Sequence, residues 1–249
     1  MADFLLIHGA WHGGWCWDRV RPILEEAGHR TVAPTLSGLE QQRTEAVEEI
    51  DLSTHVDDVV GAALDLESGE LILVGHSYAG FPLTGAADRL REAVSLYVYL
   101  DAGLPAAMEP GASFAWSDSL SPERKQERLD AITDLGFGPV LPPPPPEAFG
   151  VQSDRDIELL AERTRPMPAR TVTGSVTMER GGSGGLDRVY VHSVEPAYPP
   201  LGGTPTLPAS DPTWAYMELA TGHDSMLTAP DELAELLDGL AREYLSGRP

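Results

Sequence analysis

Cysteine is nearly absent from this chain, and its scarcity removes one class of structure and one class of chemistry. Cys16 is the only cysteine among 249 residues, so the chain cannot form an internal disulfide, and this usage fits a reducing cytoplasm. Cys16 stands between Trp15 and Trp17, a setting more typical of a small buried hydrophobe than of a reactive thiol. Neither a disulfide scaffold nor a thiol nucleophile is expected.

Basic residues and long apolar runs are also scarce. Lys and Arg total 17 against 39 Asp and Glu, which gives a formal net charge of −22. Such a chain repels nucleic acid and anionic lipid, so neither is an expected partner. No apolar run reaches the roughly 18 residues of a membrane-spanning helix, and the opening MADFLLIHGA lacks the basic segment of a signal peptide. A small-molecule substrate is the expected partner, and the oligomeric state stays open, with a homodimer as one option.

Short apolar runs alternate with longer amphipathic segments along most of the chain. This alternation predicts an α/β protein whose mostly parallel sheet carries helices on both faces. The predicted strands are Phe4–His8, Thr31–Ala33, Leu71–Gly75, Leu96–Leu100, Val189–His192 and Ala215–Leu219. Helices are predicted over Asp51–Glu67 and over Asp231–Leu245, with Gly247 as the stop of the latter, and a third helix begins at Tyr78.

Residues 103–185 interrupt this alternation. They hold polar helix-like stretches, the proline run Pro142–Pro146 and a flexible segment at Gly181–Gly185. We predict a cap inserted into a core formed by residues 1–102 and 186–249, since the length suits one domain with an insertion. The glycines of the insertion lack the strand–helix setting of a nucleotide-binding loop, and no metal-ligand cluster is visible, so no cofactor is predicted.

A serine stands where the predicted strand Leu71–Gly75 gives way to a helix. The residues GHSYAG (75–80) place it in a sharp turn flanked by small side chains, which is the pattern of a nucleophile elbow. The usual form is G-x-S-x-G; Ala79 replaces the second glycine here, but alanine is still small and Gly80 follows. Ser77 is therefore the candidate nucleophile.

A glycine-rich, aromatic loop, HGAWHGGW (8–15), follows the first predicted strand. Beside a nucleophile elbow, this loop and the residue after the serine supply the backbone N–H groups of an oxyanion hole. That assigns the two donors to Ala10 and Tyr78. His8 is expected to order the loop, and His12 is a candidate contact for the substrate.

A base for Ser77 must come late in the chain, because the elbow is followed in sequence by the acid and then by the histidine. Only His192 and His223 lie well downstream, and His192 falls inside a predicted strand. His223 lies in a loop at a strand end, where catalytic groups gather, and is the predicted base.

Two carboxylates compete for the role of the acid that orients His223. Asp101 directly follows the strand Leu96–Leu100, whereas Glu195 follows Val189–His192 in a loop rich in proline and glycine. The chain order permits both. The more rigid support favours Asp101, because an orienting group must itself be held in place.

Four blocks resemble one branch of the α/β-hydrolase superfamily: the plant methylesterases, the hydroxynitrile lyases and their bacterial relatives. These blocks are HGAWHGGWCW (8–17), GHSYAG (75–80), LDAGLP (100–105) and ATGHDSM (220–226). The resemblance implies an α/β-hydrolase fold with an inserted cap. It also implies that Ser77 is the nucleophile, that His223 is the base, and that Ala10 and Tyr78 are the oxyanion donors.

Two departures from this branch bear on the chemistry. The plant members carry the acid after the next-to-last strand, where this chain has Pro196 beside Glu195; other superfamily members carry it after the preceding strand, where Asp101 stands. Hydroxynitrile lyases need a threonine and a lysine where this chain has Gly9 and Asp224. Without the lysine no cation stabilises a departing cyanide, so the resemblance implies ester hydrolysis.

Three functions remain open at this point. The first is a serine hydrolase that cleaves a carboxylic ester or lactone of a small, apolar or aromatic substrate through an acyl-enzyme. The second is a cyclase or C–C lyase acting on a β-keto or polyketide-like compound, and the third is a small-molecule receptor without turnover. For the first function, the candidate pocket residues are Trp11, Trp15, Trp17 and Phe81, with Phe114 and Trp116 from the cap. A place in secondary metabolism is expected.

Overall fold

A computed structural model describes residues 1–41 and 46–245 of the protein. Its strands are β1 (Asp3–Ile7), β2 (Arg30–Val32), β3 (Leu71–His76), β4 (Val94–Leu100), β5 (Ser113–Ala115), β6 (Thr133–Asp134), β7 (Pro139–Leu141), β8 (Met167–Pro168), β9 (Ser175–Thr177), β10 (Arg188–Ser193) and β11 (Ala215–Leu219). Its α-helices are α1 (Arg21–Glu26), α2 (Leu52–Asp65), α3 (Gly80–Arg89), α4 (Pro122–Ala131), α5 (Asp154–Arg163), α6 (Arg170–Thr173), α7 (Thr206–Ser210), α8 (Ser225–Thr228) and α9 (Pro230–Leu245). The predicted helix stop, Gly247, lies outside the described residues.

Six strands form the central sheet, in the order β11-β10-β4-β3-β1-β2. Every neighbouring pair in it is parallel. β3 and β4 are buried along their whole length, because helices cover both faces of a parallel sheet. The six strands expected from the sequence are confirmed, with boundaries that shift by at most two residues. The predicted α/β-hydrolase architecture, a parallel sheet with covering helices, is also confirmed.

The predicted helices are present, and local chemistry sets where each begins. Asp51 caps α2 by accepting the backbone N–H of Thr54 at 3.1 Å, and the Thr54 hydroxyl accepts the N–H of Asp51 at 3.2 Å. α3 begins at Gly80 rather than at Tyr78, because Ser77–Ala79 form a 3-10 turn first. No helix in the described ranges is both long and apolar enough to cross a bilayer.

The chain between β4 and β10 forms separate small structures beside the central sheet. β5 pairs with β9, and β6, β7 and β8 form a three-stranded antiparallel sheet. The glycine-rich stretch, expected to be flexible, is anchored instead. The Asp88 carboxylate accepts the backbone N–H groups of Glu179, Arg180 and Gly182 at 2.7–2.9 Å, and the Arg91 guanidinium donates to the Gly182 carbonyl at 2.7 Å. The division into core and cap stays a prediction.

Candidate active site

Ser77 occupies a strained turn at the carboxyl end of β3. Its φ of 56° lies in the left-handed region that side chains other than glycine rarely adopt. The backbone of the turn also lies close to the backbone at Gly103: a Cβ on Gly80 would be 2.0 Å from the carbonyl oxygen of Gly103. Ala79 is buried without such a conflict. The glycine that this turn requires is therefore Gly80, which explains why alanine is tolerated at the preceding position.

The structure brings Ser77, His223 and Asp101 together. The Ser77 hydroxyl donates to Nε2 of His223 over 2.9 Å, and Nδ1–H of His223 donates to Oδ2 of Asp101 over 2.6 Å. His223 is 1% exposed and Asp101 is 0% exposed. A carboxylate acceptor at Nδ1 holds the imidazole in the tautomer whose Nε2 lone pair faces the serine, which is the tautomer a general base needs.

Asp101 is fixed more firmly than its competitor. Its Oδ1 accepts the backbone N–H of Ser193 at 3.2 Å, and its own N–H donates to the carbonyl of Val191 at 2.7 Å. Its φ is 43°, a second left-handed residue at the site. Glu195 is exposed, and both ring nitrogens of His223 are already paired with other side chains. The carboxylate at the end of β4 is therefore the one in contact with the histidine.

Two other histidines support the loops around this trio. His76 donates from Nε2 to the carbonyl of His223 at 3.0 Å, and burial holds the pKa of His76 well below its usual value, so the ring is neutral. His8 accepts the N–H of Leu36 at 3.0 Å and donates to the carbonyl of Gly9 at 2.8 Å. Burial lowers the pKa of His8 to about 3. His8 thus orders the loop after β1, as expected.

His12 is not positioned as the sequence suggested. Its side chain is buried, and it lies outside the cavity at Ser77. Both of its nitrogens face acceptors: Nδ1 lies 2.8 Å from the carbonyl of Ala10, and Nε2 lies 3.1 Å from Oδ2 of Asp224. Two acceptors require two ring protons, so the ring is an imidazolium. Burial lowers its pKa, but the charge and hydrogen bond of Asp224 outweigh that effect and raise it.

Replacing Asp224 by alanine should lower the free energy of unfolding by about 3–5 kcal/mol, because it leaves the His12 imidazolium buried without its counter-ion. The pKa of Asp224 is lowered: burial raises it, and the His12 charge overcomes that effect. The carboxylate contribution is therefore lost as the pH falls through its folded pKa, and the imidazolium contribution is lost as the pH rises through that of His12. Denaturant titrations should show the largest difference between about pH 4 and 6.5.

The control for this prediction is Asp57→Ala, which removes a surface carboxylate paired with Arg89. Both side chains of that pair are more than half exposed, so the expected change is below about 1 kcal/mol. An Asp224→Ala variant no less stable than this control, or one whose deficit does not change with pH, would show that the buried pair is not an ion pair.

A narrow cavity of about 40 Å³ opens at the Ser77 hydroxyl. Ala10 and Tyr78, the assigned oxyanion donors, line it, as do the candidate pocket residues Trp11, Phe81 and Trp116. The other candidates, His12, Trp15, Trp17 and Phe114, are not among its lining residues. The aromatic rings pack on one another, with 4.9 Å between the centroids of Tyr78 and Trp116. The cavity is therefore lined by aromatic and polar side chains together, Ser77 among the latter.

Two residues of the site carry no signal in the sequence. Tyr198, in the loop after β10, stacks on the His223 ring with 3.7 Å between centroids and 14° between planes. Burial raises the pKa of Tyr198 to about 12, so its phenol stays neutral. Arg128, on α4, places its guanidinium 4.1 Å from the Trp116 ring centroid. Only the folded chain brings these two side chains to the cavity.

One cluster of potential metal ligands occurs among the described residues, formed by His76, His223 and Asp224. The donor atoms of His223 are already paired with Ser77 and Asp101, and Nε2 of His76 bonds to a backbone carbonyl. The atoms left without hydrogen bonds are Nδ1 of His76 and Oδ1 of Asp224. Two ligand atoms fall short of the three that a catalytic zinc site takes from protein.

The sequence of this chain is similar to those of known proteins. The model of the alpha/beta hydrolase family matches residues 4–236. The chain belongs to this family. A carbendazim hydrolyzing esterase from Nocardioides sp. (strain SG-4G) is 36% identical over 246 residues, which cover 96% of this chain and 100% of that protein. Methylesterase 9 of Arabidopsis thaliana is 26% identical over 264 residues, which cover 98% and 100%.

Solved structures agree with this family. An extracellular alpha/beta-hydrolase from a Paenibacillus species superposes with a TM-score of 0.80 at 20% identity, over 95% of this chain and 98% of that one. At this identity the likeness concerns the fold. Together, the comparisons confirm the predicted kinship of this α/β hydrolase with plant methylesterases, hydroxynitrile lyases and bacterial esterases, and they identify it as an enzyme.

Proposed function

We propose that this α/β hydrolase is a serine carboxylesterase that cleaves a small carboxylic ester or lactone through an acyl-enzyme. The observation that carries the proposal is the unbroken chain of hydrogen bonds from Ser77 through His223 to Asp101, with a cavity at its serine end. A chain of this kind is the constellation that activates a serine for acyl transfer. The similarity to esterases of bacteria and plants supports the same reaction.

The proposed steps follow from the atoms in contact. Oγ of Ser77 attacks the ester carbonyl carbon while Nε2 of His223 takes its proton, and Asp101 stabilises the imidazolium that results. The carbonyl oxygen becomes an oxyanion, for which the backbone N–H groups of Ala10 and Tyr78 are the proposed donors. His223 then gives its proton to the alkoxide as the C–O bond breaks. Water, deprotonated by His223, releases the acid and restores the serine.

The residues near the site argue against cyanogenic cleavage. A Cβ at Gly9 would lie 2.9 Å from Nδ1 of His76 and 3.0 Å from Cβ of Ser77, so a threonine has no space there. Asp224 follows His223 where a lyase of this branch has lysine, and it is fully buried against His12. The carboxylate of Asp224 therefore occupies the position at which a lyase needs a cation to stabilise the departing cyanide. Because Asp101 contacts His223, the three groups that acyl transfer uses are in place, which favours hydrolysis over the second function, a cyclase or C–C lyase.

Treatment with a p-nitrophenyl alkylphosphonate should release one p-nitrophenolate per chain and stop esterase activity. The serine oxygen displaces the leaving group and keeps the phosphonyl group, so the intact mass should rise by one such group, located by peptide mapping on Ser77. Prior incubation with a slowly cleaved ester should protect the site. Turnover of an ester by protein that stays unlabelled, or that carries the label elsewhere, would refute an acyl-enzyme on Ser77.

A further inference from the structure

Arg128 brings a positive charge to a cavity wall whose other lining side chains are uncharged. It lines the narrow cavity at Ser77, and it also lines a neighbouring cavity of about 380 Å³. The two cavities share Trp11, Tyr198 and Pro200 with it. Arg128 therefore stands at the junction between the reactive serine and the larger space beside it.

The guanidinium of Arg128 is held in place but is not neutralised. Its carbon lies 4.1 Å from the ring centroid of Trp116 and 5.7 Å from that of Trp11, so two indole faces flank it. Its Nη1 is buried without a hydrogen-bond partner, and none of the ion pairs found in residues 1–41 and 46–245 includes Arg128. Burial lowers its pKa to about 10, which still leaves it charged at neutral pH.

A buried donor without an acceptor costs free energy, and a charged donor costs more. Two groups affect the pKa of Arg128 through their charges, Tyr198 and Arg124, and neither removes this cost. Arg124 lowers the pKa of Arg128 by repulsion, and Tyr198 stays neutral because burial raises its pKa to about 12. The group that satisfies the guanidinium is therefore expected to come from the bound molecule.

We propose that Arg128 selects substrates that carry a carboxylate in addition to the ester, such as half-esters of dicarboxylic acids. The inference rests on the proposed esterase function and adds a substrate class to it. The ester would lie in the narrow cavity at Ser77 while the free carboxylate, in the larger cavity, accepts the N–H groups of Arg128. Planar, fork-shaped donors match a carboxylate well. The net charge of −22 repels anions at long range, so the selection must be local.

The test compares two methyl esters of the same shape, monomethyl adipate and methyl 6-methylheptanoate, whose ends are a carboxylate and an isopropyl group. Wild type should show a kcat/KM roughly 10- to 100-fold higher for the charged ester, the range expected for a charge-assisted hydrogen bond. Arg128→Gln should remove this preference, mainly through a higher KM for the charged ester. The ratio of the two kcat/KM values is the readout, because a loss common to both esters cancels in it, and circular dichroism reports whether the variant is folded.

The matched control is Lys125→Gln, which removes one positive charge from the same helix. Lys125 is partly exposed and pairs with Asp118 at 3.5 Å, so this variant should keep the preference. Equal losses on both esters in Arg128→Gln would mean a structural role and would overturn the inference. Hydrolysis of the neutral ester without any preference for the charged one would also overturn it, while leaving the esterase proposal intact. Wild type that hydrolyses neither methyl ester would overturn the inference, whereas the esterase proposal is decided separately by the phosphonate labelling of Ser77.

Discussion

Replacing Ser77 by alanine is expected to lower kcat for a short-chain p-nitrophenyl ester roughly 10⁶-fold, because removing the nucleophile ends covalent catalysis and leaves only binding and the oxyanion donors. The strained backbone at this position tolerates the change, since alanine is no larger than serine. KM should change little, because the hydroxyl makes its bond to the substrate only in the transition state. The measurement is steady-state hydrolysis, with circular dichroism to confirm the fold.

A matched serine variant makes this result specific. Ser119 lines the same cavity, and its hydroxyl donates to the carbonyl of Trp116 at 2.8 Å, away from the reacting atoms. Ser119→Ala should keep kcat within roughly tenfold of wild type, in line with the loss of one ordinary hydrogen bond. If Ser77→Ala retained a tenth of the activity, the reaction would not proceed through this serine, and the non-hydrolytic function would return.

Replacing Asp101 by asparagine should lower kcat roughly 10⁴-fold. The amide can donate its N–H to Nδ1 of His223, which moves the ring proton to Nε2 and turns a donor toward Ser77. The base then has no lone pair for the serine proton. Asparagine is the right substitute here, because it tolerates the left-handed φ of 43° at this position and keeps the shape of the side chain.

The second carboxylate provides the comparison that the sequence left open. Glu195→Gln should have the kcat of wild type, since Glu195 is exposed and the His223 ring is already paired. A large loss in Glu195→Gln together with a small one in Asp101→Asn would mean that the loop rearranges when substrate binds. The pH profile adds a second readout, because only the variant that loses the true acid should change the pH dependence of kcat.

The parts of the fold that could be predicted are those that depend on short sequence patterns. Fully apolar strands and a serine between small residues are visible in the sequence, so β3, β4 and the turn at Ser77 were expected. The acid could not be decided in this way. Asp101 and Glu195 both follow strands, and which carboxylate reaches His223 depends on strand neighbours: β4 lies between β3 and β10 in the sheet.

Other site residues were missed or misplaced because their roles arise from distant contacts. Arg128 is one of many arginines on polar helices, and only packing brings it over the indole rings. Tyr198 lies in a loop whose path the sequence does not define. His12 has the composition of a pocket residue, but a partner 212 positions away, Asp224, draws its ring into the interior. Contacts between residues far apart in the sequence decide each of these cases, and periodicity does not record such contacts.

The strand that carries Asp101 determines which segments of this enzyme can be exchanged. Because the acid sits at the end of β4, the segment between β10 and β11 contributes none of the three side chains in the hydrogen-bonded trio. That segment supplies walls of the cavity instead, among them Tyr198, Leu201 and Thr204. In an enzyme whose catalytic acid lies between β10 and β11, replacing this segment would remove the acid and with it the activity. Here, a grafted loop that keeps Tyr198 should alter the choice of substrate, while Ser77, His223 and Asp101 stay in place.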